Sequence, residues 1–512
     1  MKHSLCMAFG LMSALSTALA GCADLEPATD QTAIEDLSLP SLRVQRGKQQ
    51  VLLGVTDDGH ALVWDAGVVY ATVLLPGAPR SRVAEAAQAP LTMTVGRVAL
   101  IWTAQPYFGA LAPSPLVAWT AFRGAKLATS SSWPPALSAI AAGSAISADG
   151  REIIFSANVS GDGASGDLVR ASSDLLTVTT LVTGASVSPF NGCAPHVGFA
   201  RASLGDAVVS ACAADDLSHA TLARWAGAAR RVLSTQAMPN IPWTSDGDGE
   251  HIVTRLLDRS STVFDRDGTA TIVESRSSLG WITADGVVVN RVRADPNNVI
   301  IERSTLDPLA SETVTNVNSA TGIMFANHLP QGIPQANLTP IPTSPDGSFY
   351  GGFNVLDPST GLTDAYLVDL TTPGRVPIAL RTTPDAIPTN EIATRNSSHM
   401  LYYTVDGAGN VVLNAGGRDG VSRQISTGAT TIGVHYGIHD SVLVYSDNAV
   451  SSVSDPLSTT DIVVADVADP SRRPRAVAHQ AHDLFFTTRD RRFIVYTSDV
   501  EAGGGLFVAY VR

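Results

Sequence analysis

The densest set of ligating side chains in this 512-residue chain is the loop Asp246-Gly247-Asp248-Gly249-Glu250-His251. Calcium takes roughly six to eight oxygens, and carboxylates alternating with flexible glycines could offer several of them. Asp246, Asp248 and Glu250 are therefore candidate calcium ligands. No third ligand or distal Glu follows at EF-hand spacing, however, and a plain Asp-Gly turn between strands accounts for the same residues. Two histidine groups, His435 and His439 with Asp440, and His479 and His482 with Asp483, are read as hydrogen-bonded surface residues beside strand starts rather than as metal sites. Cys193 and Cys212 flank a hairpin whose arms are 196–200 and 206–212, with a turn near Ala202-Ser203. If Ala200 faces Gly205, antiparallel register sets the two cysteines opposite each other, within reach of a disulfide. Reactive thiols and a two-Cys metal site are the alternatives.

Other catalytic signatures are missing. The sequence has no Gly-x-Ser-x-Gly elbow, no His-Glu-x-x-His, no Walker loop, no faithful sialidase-type box and no zinc-spaced Cys/His set. This weighs against an enzyme without deciding the matter.

The address is easier to read. Met1-Lys2-His3 precedes an apolar segment from Leu5 to Leu19, which ends in Leu19-Ala20-Gly21-Cys22. A basic start, a short apolar run and small residues at the cut describe a secretory signal, too short to span a bilayer. Cys22 directly after Leu-Ala-Gly makes the stretch resemble the lipobox of bacterial lipoproteins. The resemblance implies cleavage after residue 21 and acylation of Cys22. Residues 23–40 carry five carboxylates and no basic residue, and read as a solvated tether. The formal charge of −13 argues against a nucleic-acid or anionic-lipid surface, so membrane contact is expected through the lipid alone. A hydrophobic content of 45% excludes wholesale disorder. In the oxidising compartment that export implies, an even pair of remaining cysteines favours the disulfide.

The elements that must position these residues begin after Pro40. There, short runs rich in Val, Ile, Leu and Thr alternate with Asp-Gly, Gly and Pro turns, which predicts strands throughout. The turns recur in a frame. Ser147-Ala148-Asp149-Gly150 precedes Ile153-Ile154-Phe155-Ser156, Thr283-Ala284-Asp285-Gly286 precedes Val287-Val288-Val289, and Ser344-Pro345-Asp346-Gly347 precedes Phe349-Tyr350. Thr488-Arg489-Asp490 before Phe493 is the same unit without its glycine. A second landmark, a strand ending at an aromatic or acidic residue, recurs at Trp64, Trp119, Trp225, Asp369, Asp466 and Tyr510. Repeats of roughly 40–50 residues, each worth four strands, are the signature of β-propeller blades. About ten units are counted; seven or eight blades, or two smaller propellers, are the alternatives. The Ser-x-Asp-Gly frames resemble the TolB-type, WD-like propeller repeat, which implies the all-β propeller fold of four-stranded antiparallel blades for residues 41–512 and a binding habit. It does not imply a particular partner, because the additional α/β domain of TolB has no counterpart here. The last unit lacks its outer strand, which Leu42-Arg43-Val44-Gln45 is placed to supply.

Trp64, Trp119 and Trp225 occupy equivalent places and are read as blade-to-blade packing rather than ligand stacking. The frame breaks between 317 and 342, where Ile323-Met324-Phe325 and His328-Leu329 intervene. A long loop on a rigid scaffold is a usual place for recognition, so Ile323, Met324, Phe325, His328 and Leu329 are the candidate binding residues. The reading is a lipid-anchored, monomeric cell-envelope propeller, on the periplasmic or surface face of the outer membrane, that binds an envelope protein or glycan as a binding or scaffold module. It has no cofactor beyond the candidate calcium. An envelope hydrolase or lyase with a channel site, or a carbohydrate-binding propeller, are the alternatives.

Overall fold

Branched and aromatic runs cut by Asp-Gly turns form strands because the side chains pack on a pleated surface and the turns reverse the chain locally. The computed structural model describes residues 41–318 and 349–511, apart from short internal stretches such as 136–142, 202–205 and 388–398. These residues form strands β1 to β38, numbered in chain order, with a single 3-10 turn at Glu501–Gly503 and no α-helix among the described residues.

Consecutive strands pair antiparallel into six sheets of three or four strands and two larger sheets. The eight-stranded sheet divides into β10 (Ala145–Ile146) to β13 (Val178–Ser186) and β14 (His196–Arg201) to β17 (Ala229–Ala237), bridged by the one pair Ala185↔Ala213. The seven-stranded sheet divides within the long strand β36 (Arg475–Thr487). Its first half pairs with β35 (Thr459–Asp466) and its second half with β37 (Phe493–Ser498). Ten successive units result among the described residues, and the chain is a β-propeller of antiparallel blades. The short stretches that blurred the count are complete four-stranded units, β18 (Thr244–Ser245) to β21 (Ala270–Glu274) and β22 (Ser277–Ile282) to β25 (Leu309–Asn318). Val317 and Asn318, expected to open the long loop, instead pair with Val299 and Asn298 at the end of β25.

Where side chains are described, the apolar faces of neighbouring units pack together, so the core is a series of junctions. Val98, Leu100 and Trp102 meet Ile153 and Phe155, while Ile154 and Leu168 meet Val209 and Trp225. Leu413 and Ala415 meet Tyr445 and Val463. The last unit packs on the first, where Leu484, Phe486 and Val495 join Val51, Leu52 and Val63. At these junctions successive units pack face to face, and the last of them packs on the first.

The outer strand of the last unit is β1 (Ser41–Arg46), as expected. It pairs with β38 (Gly505–Tyr510) through Ser41↔Ala509, Leu42↔Val508 and Arg43↔Phe507, then bulges before Gln45↔Leu506. The repeated turn joins the first two strands of a unit. In Ser147–Gly150 the Ser147 hydroxyl donates to Asp149 at 2.7 Å, and the Gly150 N–H donates to the Ser147 carbonyl at 2.8 Å. Equivalent turns meet from unit to unit. The Asp57 N–H donates to the Gly96 carbonyl at 2.6 Å, and a Cβ on Gly96 would lie 2.9 Å from Gly150 Cα. With φ of 61° and 67°, Gly96 and Gly150 adopt a backbone that glycine tolerates best, and neither leaves room for a side chain.

The tryptophans are not all equivalent. Trp119 and Trp225 lie on the third strands β8 (Ser114–Thr120) and β16 (Asp216–Ala226), each 4% exposed within a junction. Trp64 lies on a second strand, β3 (His60–Asp65), half-buried, and its Nε1 donates to the Ala86 carbonyl at 2.8 Å. Its place on a second strand corrects the expected common frame, while its indole still packs against the cluster shared with neighbouring units. Trp119→Ala should therefore cost about 3–5 kcal/mol, the range for large-to-small aromatic truncation in a packed core. Trp64→Ala should cost clearly less. Urea unfolding of both variants checks this, and equal losses would show that Trp119 is not a junction residue.

Candidate functional site

The acidic loop lies in the turn between β18 and β19 (Ile252–Arg255), at the junction with the preceding unit. Across that junction Asp206 opens β15 (Asp206–Ala213), and Arg224 projects from the neighbouring β16. Both side chains are nearly fully buried. Arg224 Nη2 donates to Asp206 Oδ2 at 2.8 Å and to the Gly249 carbonyl at 2.8 Å, and Nε reaches the same carboxylate at 3.2 Å. Arg266, in the turn after β20 (Ser261–Phe264), sits 3.6 Å from Asp206 and 3.7 Å from Glu250. On the other flank, His251 Nδ1 lies 2.5 Å from Asp246 Oδ2, and His251 Nε2 lies 3.6 Å from Asp265. Asp248 accepts the Glu250 N–H at 3.0 Å. Burial pushes the Asp246 carboxyl above its ordinary range, and the hydrogen bonds from His251 oppose that rise.

The three candidate calcium ligands are thus committed elsewhere: Asp246 to His251, Asp248 to the turn, and Glu250 to Arg266. Among the described residues, no three His, Cys, Asp or Glu side chains come together to hold a metal ion. What the loop does is chemically plain. It is the lock between two units, with Gly249 lending a carbonyl to a buried guanidinium.

The second histidine group is also corrected. His482 lies inside β36, only 1% exposed, with Nδ1 2.8 Å from the Gln50 carbonyl and 3.0 Å from Thr497 Oγ1. His479 is the surface member, 3.2 Å from Asp461. His435 belongs to β33 (Gly433–Gly437), whereas His439 and Asp440 lie outside the described residues.

Cys193 and Cys212 are joined as a disulfide in the structure, with Cα atoms 6.0 Å apart. The hairpin register differs by one residue from the expected one. Val197 faces Val209 and Phe199 faces Ala207, with a bulge before Arg201↔Asp206. Cys193 therefore stands outside the ladder, three residues before His196 starts the strand. Pro195 has no N–H to extend the pairing, so the chain bends there. Both sulfurs sit in an apolar cluster with Val208, Trp243 and Phe264. Beside them His196 is buried, and burial lowers its pKa to about 4, so the ring is neutral at neutral pH.

A feature the sequence did not single out lies where the ring closes. The loop after β4 (Val68–Val73) reaches over β1, and the two enclose a groove of about 460 Å³ lined by Arg43, Val44, Gln45, Arg46, Gly77, Ala78 and Arg80. The Gly77 N–H donates to the Val44 carbonyl at 3.1 Å, and Gln45 Nε2 donates to Thr72 Oγ1 at 2.6 Å and the Ala78 carbonyl at 3.2 Å. Arg80 is fully engaged, with Asp65 at 2.6 Å, the Arg46 carbonyl at 3.2 Å and the Gln45 amide oxygen. Arg43 donates through Nη1 to the Ala502 carbonyl. The Arg46 side chain is exposed and has no partner among the described residues. Cys22, and Ile323, Met324, Phe325, His328 and Leu329, lie outside the described residues.

Removing one member of a buried ion pair strands the other charge, whereas replacing both by apolar groups does not. Arg224→Met should destabilise the protein by about 3 kcal/mol, with Arg266 moderating the loss. Asp206→Leu combined with Arg224→Met should recover most of it. Urea midpoints of the single and double variants measure the difference. A double variant no more stable than the single would mean that the pair's charge is not what holds the junction.

No protein-family model matches the chain, and no curated protein matches it. Among solved structures it is similar to an oligogalacturonate lyase in complex with manganese, at 13% identity over 79% of this chain and 96% of that one, with a TM-score of 0.33. It is also similar to TolB from Acinetobacter baumannii, at 10% identity over 62% and 77% of the two chains, with a TM-score of 0.26. The dipeptidyl peptidase 4 of Porphyromonas gingivalis matches at 10% identity over 90% and 65%, with a TM-score of 0.44.

Proposed function

We propose that this chain is an exported β-propeller, held to a membrane by lipid on Cys22, that serves as a binding or scaffold module in the cell envelope. The observation that carries the reading is the position of β1. The strand that follows residues 22–40 is the outermost strand of a unit, which supports a chain held from its rim with the turns of other units free to meet a partner. A rigid ring with irregular loops suits recognition, because the scaffold bears the ordering cost and the loops supply the contacts. The partner is an envelope protein or glycan, and the propeller acts as a monomer. The 323–334 segment supplies contacts, among them Ile323, Met324, Phe325, His328 and Leu329. Export also keeps Cys193 and Cys212 oxidised.

Replacing Cys22 with Ser should move the protein from the membrane to the soluble envelope fraction, while the wild type incorporates labelled fatty acid. The same envelope sample, alkylated without reduction, should carry no label on Cys193 or Cys212. A Cys22→Ser variant that stays on the membrane, beside a wild type that takes up no lipid, ends the anchor reading.

A Gly-Ser linker in place of residues 323–334 should leave thermal unfolding nearly unchanged, since loop-length costs grow slowly. Recovery of any partner cross-linked in the envelope should fall. If the replacement unfolds the ring while partner recovery persists in the folded remainder, the segment belongs to a blade and recognition lies elsewhere.

A further inference from the structure

We infer that the groove at the ring seam is a phosphate-ester site, in which Arg46 and Arg43 hold a dianionic phosphate group against the closure strand. Three arginines are among the residues that line the groove, and no Asp or Glu is. Their charges are not equally available. Arg80 is neutralised by Asp65, 2.6 Å away, and is further held by Gln45, the Arg46 carbonyl and the face of Tyr70 at 5.5 Å. It forms a fixed wall. Of the carboxylates beside β1, Glu501 takes the hydroxyls of Ser41 and Tyr496 and Asp499 takes the Gln49 N–H, and neither lines the groove.

Arg43 spends one nitrogen on a neutral carbonyl, and Arg46 spends none on a partner among the described residues. Two arginines without a carboxylate partner among the described residues therefore border one groove, in a protein whose formal charge is −13. A carboxylate would balance one of them. A phosphate monoester carries about −1.5 to −2 at neutral pH and balances both, and its oxygens match the planar fork of Arg. The groove is too small for a long polymer and large enough for a phosphate with part of the group that bears it. Such an ester comes from two sources, the headgroup of a phosphomonoester lipid or a free phosphorylated metabolite. The inference does not depend on acylation of Cys22.

Binding here has a structural consequence, because the groove walls belong to the first and last units. A ligand that grips Arg46 on β1 while lying against the 77–80 loop ties the two together, and a ligand that prefers the folded state raises stability.

The test is calorimetric titration of the full chain with inorganic phosphate and with glycerol 3-phosphate at fixed ionic strength, repeated on Arg46→Gln and Arg43→Gln. Arg46→Gln should match the wild type in thermal midpoint without phosphate, because its side chain supports nothing in the fold. It should bind phosphate about tenfold more weakly, the loss expected for one charge-assisted hydrogen bond. Flotation with vesicles of phosphatidylcholine containing phosphatidic acid, against phosphatidylcholine alone, separates the sources. Arg46-dependent flotation assigns the lipid, and titration without flotation assigns the free ester. No saturable heat with either phosphate, or equal affinity in wild type and Arg46→Gln, overturns the site. Arg43→Gln keeps the test decisive: unchanged binding in both variants removes the groove from consideration even if phosphate binds elsewhere.

Discussion

Everything in this ring depends on the pairing of β1 with β38. A propeller unit exposes a strand edge and two apolar faces unless it has neighbours, and closure supplies the last of them. The pairing joins chain segments far apart in sequence, as the Ser41 to Glu501 contact across 460 residues illustrates. The loop-closure cost grows only logarithmically with that length, so one well-paired strand and one packed junction can meet it. Val44, 2% exposed, is the apolar contribution of β1 to that junction.

The seam carries more polar bonding than an apolar junction alone would need. Gln45 spans it to Thr72 and Ala78, and Arg80 spans it to the Gln45 amide and the Arg46 carbonyl. The Gln49 N–H donates to Asp499 at 2.6 Å, and buried His482 faces the Gln50 carbonyl. Apolar contact is non-directional and would tolerate a slip of β1 along β38. Directional hydrogen bonds do not, because a slip of one residue turns every side chain to the opposite face. The bulge between Arg43 and Gln45 fits the same requirement: it re-aims the strand so that Val44 enters the core while Gln45 reaches the neighbouring unit.

Features legible in the sequence are local ones. The Ser-x-Asp-Gly frame can be read because the serine hydroxyl, the aspartate and the glycine satisfy one another within four residues, and the count of about ten units rests on the strands that follow it and on the residues that end them. The closure strand can be read because the last unit is one strand short. The cysteine register departs by one residue from the simple ladder because Pro195 and a bulge before Arg201 act at both ends of β14. A strand-terminal tryptophan looks alike on a second or third strand, so the place of Trp64 is not legible from its neighbours. The burial of His482 is hidden by the length of β36, which serves two units. The groove escapes a linear reading for a different reason: Arg80 and Asp65 share the first unit, but Gln45 and Arg46 join them only when β1 pairs with β38.

The two charged regions of the molecule are therefore of opposite kinds. At the junction after β16, Asp206, Arg224, Glu250 and Arg266 neutralise one another, and an incoming ion would have to displace a partner that is already desolvated. Breaking such a buried pair costs more than a surface ion returns. The acidic loop, conspicuous in sequence, is for that reason spent on holding units together. At the seam, Arg80 is consumed in the same way, but Arg46 stands exposed on the strand that closes the ring, with Arg43 on the same groove. Desolvation there is small and no internal bond need break. The residues best placed to take a ligand are those whose charge the fold leaves uncompensated, and among the described residues the seam groove gathers them on the strand that must be held for the ring to exist.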